Sequence, residues 1–236
     1  MILLGIDTAT RRVGVALGTE VGLLASVELG GPATAGPPRH AEQLAPAIEF
    51  MCAQADIALD QVTAIAIGIG PGMFTGLRVG VTTAKALGLA LDIPLVPIAS
   101  LDLIAYPLRH ANTALIVPTI DARRNEIYFA LYRPVPGGVQ RVSDYLLGTP
   151  DDLAAELSAR GEDAVLCGDG ALRFRSDFDD HDLCELAGPG HATPDLTALI
   201  ELACARVARE QFEPARAVVP MYLRKSDAEL AADARA

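Results

Sequence analysis

The 236-residue sequence predicts an α/β protein whose sheet mixes antiparallel and parallel strands. The chain opens as a meander: MILLGID, RRVGVALGT and GLLASVELG read as three short strands joined by polar turns at Thr8–Arg12 and Gly18–Gly22. It then alternates helical stretches with two nearly continuous apolar runs, VTAIAIGIG and IPLVPI, the pattern of parallel strands covered on both faces. A boundary near Ser100–Asn112 separates two blocks of similar content. That similarity points to a duplicated α/β unit, although the second block is shorter and lacks a matching three-strand opening.

Each element has a local reason. GGPATAGPPRH is too rich in Pro and Gly for anything but loop. HAEQLAPAIEFMCAQADI places Leu44, Ala47, Ile48 and Met51 at helical spacing, with Pro46 predicting a kink or an irregular first turn. GPGMFTG is the loop before a second helix, LRVGVTTAKALGLALD. In the second block ALIVPTID is a strand, and RRNEIYFALYRP alternates Ile127, Phe129 and Leu131 against Glu126, Tyr128 and Ala130. A turn spans Pro134–Gly138, and TPDDLAAELSAR is a helix with Thr149 or Asp151 as its cap. AVLCGDG is a strand, and the polar stretch Arg173–Pro194 reads as variable loop. TPDLTALIELACARVAREQ is a helix capped by Thr193 with Pro194 at its first position; Leu196, Leu199, Ile200, Ala203 and Val207 form its apolar stripe. The expected domains are residues 1–105, completed by the 194–212 helix, and residues 106–193, with 225–236 a frayed tail.

Composition narrows the function. With 51% hydrophobic residues the chain has ample material for a core. A net charge of −11 argues against a free-standing nucleic-acid binder, which needs a basic footprint. Cys52, Cys167, Cys184 and Cys204 have no framework or CxxC spacing and read as core thiols of a reducing compartment. No secretory leader is expected, and the longest uncharged stretch, Val62–Leu77, is broken by Pro71 and four glycines. The expected location is the cytoplasm, away from membrane.

The stretch GIGPGMFTGLRVGVTTAKALG invites a phosphate-loop reading, because unpaired N–H groups at a helix start bind anions. It fails both standard patterns. Gly76 is followed by Leu77 and Arg78 rather than Lys and Ser or Thr, and Met73 stands where a dinucleotide fingerprint needs its third glycine. Arg78 and Lys85 could still meet an anion. Gly80, Ala84 and Gly88 recur every four residues, a stripe suited to close approach by another helix or by the chain's own sheet. His40, His110, His181 and His191 form no i,i+4 pair, so no metal site is expected. Asp7, followed by Thr8 and Thr10, suits a carboxylate near phosphate or magnesium and equally a turn cap. Asp121, Arg123 and Glu126 form either a site or a surface salt-bridge set. No Ser-His-Asp or Cys-His arrangement is evident.

Taken together, GIDTAT, RHAEQLAPAI, GPGMFTGLRVGVTTAKALG, IDARRNEIYFALY and the late YLRK resemble the TsaB (YeaZ) family, over most of the first half and the Asp121 segment and thinly from Pro134 to Pro194. The resemblance implies the actin-like, sugar-kinase and Hsp70-type (ASKHA) fold of two related α/β domains. It implies a non-catalytic scaffold that pairs with TsaD, in machinery that installs N6-threonylcarbamoyladenosine beside the anticodon of tRNAs reading ANN codons. TsaD performs the transfer with a histidine-bound metal, and the ATPase TsaE joins them. The chain would then need no cofactor of its own, ATP and the metal ion being used by partner subunits. It would contact tRNA only through the complex and form a homodimer when alone. The implied partner surface lies on the helices beginning near His40 and Gly76, with His40, Leu44, Ile48, Met73, Phe74, Leu77, Gly80, Val81, Ala84, Lys85 and Gly88 as candidates. Asp7, Thr8, Arg78 and Asp121 are the candidates for a weak nucleotide or anion contact, with no catalytic or metal residue. The alternatives are an active nucleotide-dependent kinase-like or hydrolase enzyme of the same fold, using Asp7 and Asp121, and a protease, for which nucleophile and base are not apparent.

Overall fold

The computed structural model describes residues 1–30, 36–179 and 182–224; the tail, and part of the Pro/Gly-rich loop, lie outside the described residues. The first unit runs β1 (Leu3–Asp7), β2 (Val13–Thr19), β3 (Gly22–Leu29), α1 (His40–Ala55), β4 (Ala64–Gly68), α2 (Phe74–Leu91), β5 (Leu95–Ile98) and α3 (Ser100–Ala105). β1 pairs antiparallel with β2 and parallel with β4, giving the order β3-β2-β1-β4-β5. Every residue of β1 and β4 is buried, as central strands covered on both faces require. Pro46 sits inside α1 on its exposed side, where its lost backbone donor faces water, and the helix runs on past it to Ala55.

The second unit comprises β6 (Leu115–Arg123), β7 (Glu126–Phe129), β8 (Tyr132–Val135), β9 (Gly138–Arg141), β10 (Leu146–Gly148), α4 (Pro150–Arg160), β11 (Ala164–Cys167), α5 (Asp169–Arg173) and β12 (Cys184–Leu186). Its order, β10-β7-β6-β11-β12, repeats the first, with β6 antiparallel to β7 and parallel to β11. The unit therefore has the three-strand opening that the sequence reading denied it. The β8–β9 hairpin, inserted before β10, separates the third strand from the first two and hides the repeat. RRNEIYFALYRP is likewise not one strand: Arg123, Arg124 and Asn125 turn the chain with φ of 64°, 53° and 61°. The stretch read as loop from Arg173 to Pro194 contains β12, whose three residues are too few to show a period.

α6 (Leu196–Val207) returns to the first unit and packs on the sheet face opposite α1 and α2. Its cap is Asp195, whose carboxylate accepts the Ala198 N–H at 2.6 Å, rather than Thr193. Gly18 of β2 lets it sit close, since a Cβ there would lie 2.4 Å from Ile200 Cγ2. Thr149 caps α4 by accepting the Asp152 N–H at 3.1 Å. A carboxylate ties the two units together. Asp102 of α3 accepts the hydroxyls of Tyr132 and Tyr145 at 2.6 and 2.9 Å, and Arg206 of α6 lies 3.9 Å away. Burial and that carboxylate raise both tyrosine pKa values above the ordinary phenol range.

Candidate functional site

Four glycines of the Gly68–Gly88 stretch are spent on contact with the end of β1 and the turn that follows it. A Cβ would fall 1.8 Å from Asp7 Oδ2 at Gly68, 2.3 Å from the Ala9 carbonyl at Gly72, 2.2 Å from the Thr8 carbonyl at Gly76 and 2.2 Å from Thr8 Oγ1 at Gly80. The Thr8 hydroxyl donates to the Gly76 carbonyl at 2.8 Å, and the Met73 N–H donates to the Ala9 carbonyl at 2.7 Å. The start of α2 is thus pressed against Thr8 and Ala9, leaving no space there for a phosphate.

Asp7 is sealed by the same packing. Its carboxylate accepts the Ala9 N–H at 2.9 Å and the Ser100 hydroxyl at 2.7 Å, while Ser100 Oγ accepts the Gly70 N–H. Burial pushes its pKa up to about 6, against the lowering effect of those hydrogen bonds. The cavity beside it measures about 10 Å³, room for a single water at most.

The expected partner surface needs correction on the same grounds. His40, Leu44, Ile48, Leu77, Gly80, Val81, Ala84 and Gly88 are all buried within the chain. A His40 ring nitrogen lies 2.9 Å from the Thr10 carbonyl, and burial lowers the ring's pKa. A Cβ at Gly88 would lie 2.4 Å from Leu95 Cδ1, so the small-residue stripe receives the chain's own sheet. Lys85 Nζ donates to the Arg216 and Val218 carbonyls at 3.2 and 2.8 Å, fastening the C-terminal segment. Met73 is half-buried and Phe74 exposed. What the two helices present outward is another, mixed set: Ala41, Ala45, Phe50 and Ala53 beside Glu42, Glu49 and Gln54 on α1, and Ala86, Leu89 and Ala90 beside Arg78 and Thr82 on α2. Phe50 is 58% exposed and Leu89 56%. Sequence reasoning missed them because it followed the buried stripe; a large apolar side chain off that stripe was the available signal.

A second cleft lies where the two units meet. It encloses about 480 Å³ between the Gly72–Thr75 turn with Arg78, the β6–β7 turn, and the segment Met221–Arg224. Arg78, Arg123, Arg124 and Arg224 line it, with Asp121 as the one acidic lining residue among the described residues. Asp121 receives Arg173 Nη1 at 2.5 Å and lies 3.7 Å from Arg123, while Arg224 pairs with Glu126. The Phe74 ring has the Arg78 guanidinium 4.9 Å from its centre and the Tyr222 ring at 4.9 Å. The four residues proposed for an anion contact therefore do not converge: Asp7 and Thr8 are core, and only Arg78 and Asp121 reach this cleft. Behind it, Asp169 accepts the Asp121 N–H at 2.9 Å, and burial raises its pKa to about 6. Among the described residues no three His, Cys, Asp or Glu side chains are placed to hold a metal, and no helix is long and apolar enough to cross a membrane. The four cysteines are free thiols.

Two sheets of identical strand order, helices on their faces and a cleft between them define the actin-like, sugar-kinase and Hsp70-type fold. The chain belongs to the family described as TsaD: tRNA N6-adenosine threonylcarbamoyltransferase, whose profile matches residues 32–232. Within that family its likeness is to the TsaB, or YeaZ, branch. It is 35% identical over 142 residues to the tRNA threonylcarbamoyladenosine biosynthesis protein TsaB of Bacillus subtilis, covering 60% of this chain and 59% of that one. It is 32% identical over 140 residues to the TsaB of Escherichia coli, covering 59% and 58%. YeaZ from Pseudomonas aeruginosa superposes with a TM-score of 0.79 at 27% identity, covering 94% of this chain and 99% of that one. An uncharacterised Mycobacterium leprae protein is 38% identical over 176 residues, 71% of this chain and 45% of its own. The matched region thus spans about half the length of the curated relatives.

Proposed function

We propose that the chain is a non-catalytic scaffold or activator subunit that pairs with a TsaD-type transferase in the formation of N6-threonylcarbamoyladenosine on tRNA. The observation that carries this reading is the pair of large apolar side chains that α1 and α2 leave exposed, Phe50 and Leu89, on otherwise mixed outward surfaces. Aromatic and large aliphatic side chains of that kind anchor protein interfaces when a partner fills the surface around them. The partner on this reading is a related chain of the same fold, offering its own pair of helices, or a second copy of this chain when TsaD is absent. The sealed Asp7, with about 10 Å³ beside it, supports a chain that carries out no chemistry at that point. ATP, a metal ion and TsaE then belong to the rest of the complex. tRNA is held by the complex rather than by this chain, whose net charge of −11 opposes a free polyanion. The setting for such work is the cytoplasm.

Reconstitution tests the reading. The chain alone, given ATP or threonylcarbamoyl-adenylate and tRNA, turns over neither, whereas adding it to TsaD and TsaE raises modified-tRNA formation. Turnover by the chain alone near 1 per second, an ordinary enzymatic rate, and lost in Asp7→Ala, would establish the enzymatic alternative instead.

A further inference from the structure

The segment that follows α6 is tied to both units, and the scaffold reading makes no use of it. Glu213 and Leu95 exchange both backbone hydrogen bonds, at 2.8 and 2.9 Å, which extends the edge of the first sheet by one residue. Ala215 and Val218 are buried in the core that Val81, Ala84 and Leu95 share, and Lys85 holds the Arg216 and Val218 carbonyls. The Met221 N–H donates to the Ile69 carbonyl at 2.7 Å, just past β4. The chain then crosses. The Tyr222 ring lies 4.9 Å from that of Phe74, and Leu223 packs on the cluster that includes Ile120, Ala122 and Tyr128. Arg224 donates to the Ala122 carbonyl at 2.9 Å and pairs with Glu126. We propose that Glu213–Arg224 is a releasable strap that holds the second unit against the first, with Arg224 as its clasp.

The chain passes between the units twice before the strap, from α3 to β6 and from β12 to α6, and Asp102 of α3 and Arg206 of α6 meet at 3.9 Å. The strap is a third connection in a different place. The cavity that Asp102, Tyr132 and Arg206 line shares no residue with the cleft that Met221, Tyr222 and Arg224 line. A hinge tied at one side still turns, whereas a second tie across its mouth fixes it. The two ends of this tie are unequal. The first-unit end is held by buried apolar side chains and backbone hydrogen bonds, which are costly to expose. The second-unit end rests on the half-buried Leu223 and on an ion pair whose Glu126 is 32% exposed, a contact that solvent and salt weaken. The strap therefore lets go of the second unit and stays on the first. Release opens the wall of the cleft that Met221, Tyr222 and Arg224 form. The inference goes beyond the scaffold reading and needs no partner, so it is testable on the chain alone.

An inter-unit distance, measured on the full chain beside amide exchange, decides it. Labels carried by unnatural amino acids at Ser26 of β3 and Ala159 of α4, both exposed, report the separation of the units. Arg224→Ala should raise the open fraction about tenfold or more, the loss of a charge-assisted contact. Glu126→Gln, at a part-exposed position, should fold as the parent does and move the distribution the same way to a smaller extent. Raised salt should do the same in the parent. In both variants the Glu213 and Met221 amides, bonded to the first unit, should keep their protection. The proposal is overturned if neither variant changes the distance distribution, or if faster exchange at Glu213 shows the strap leaving the first unit. Distances that widen only as the cores of both units also exchange faster would overturn it too, in favour of general loosening.

Discussion

Gly80→Ala separates helix propensity from packing. In an exposed helix interior this substitution stabilises by about 1 kcal/mol, because alanine loses less backbone entropy than glycine. At Gly80 the new Cβ would lie 2.2 Å from Thr8 Oγ1, a distance that carbon and oxygen do not share. Thr8 is fully buried, and its hydroxyl donates to the Gly76 carbonyl at 2.8 Å, one turn back on α2. Relief requires either rotating that hydroxyl away, which strands a buried polar group at about 1–3 kcal/mol, or shifting α2 off the sheet, an overpacking cost of about 1–3 kcal/mol. After the propensity gain the net expectation is a loss of about 0–2 kcal/mol, or up to roughly 8 °C in melting temperature for a chain of this size. Urea unfolding followed by circular dichroism measures it. In a Thr8→Ala background the clash is absent, so the same glycine change should be neutral or stabilising, and the double-mutant cycle should show coupling. Gly80→Ala that stabilises the parent, or shows no coupling to Thr8, refutes the account of the stripe as core.

Other perturbations bear on the sealed carboxylate, the join between units and the core helix. Asp7 has a folded pKa of about 6, above the unfolded value of about 3.9. The native state therefore holds more protons across that window, and Asp7's contribution to stability is lost as pH rises through it. Asp7→Asn should gain stability relative to the parent between pH 4 and 7, read from urea midpoints; a difference that does not change with pH contradicts this. Asp102→Ala leaves the Tyr132 and Tyr145 hydroxyls without their acceptor and should cost about 2–4 kcal/mol; a calorimetric change under about 0.5 kcal/mol, the range of inert surface substitutions, would show that the carboxylate does not join the units. Ala84→Arg puts a charge into a fully buried position and should abolish cooperative melting; a preserved transition would return Ala84 to the surface.

The meander, both parallel strands and the main helices were legible because their periods are long and their ends marked by turn residues. The repeat was obscured by the β8–β9 hairpin, and β12 was too short to register. At the site the motif was visible but its direction was not. Gly76, Gly80 and Gly88 have the same spacing whether the close neighbour is a partner helix or the chain's own Thr8 and Leu95, and only the packed structure distinguishes them. The cleft was harder still. Arg78, Arg123, Arg124 and Arg224 come from three separated segments, and nothing in a one-dimensional reading brings those segments together.

The central claim is that the outward faces of α1 and α2 dock a TsaD-type partner while their inner stripes build the core. It is tested most directly by measuring the affinity of Phe50→Glu and Leu89→Glu for TsaD beside their thermal unfolding as free monomers. Both side chains are more than half exposed. The account predicts unfolding transitions close to the parent's and, for anchor residues at an interface, a loss of about 2 kcal/mol or more in binding, roughly thirtyfold. Parental affinity in both variants, with modified-tRNA formation intact, would contradict it.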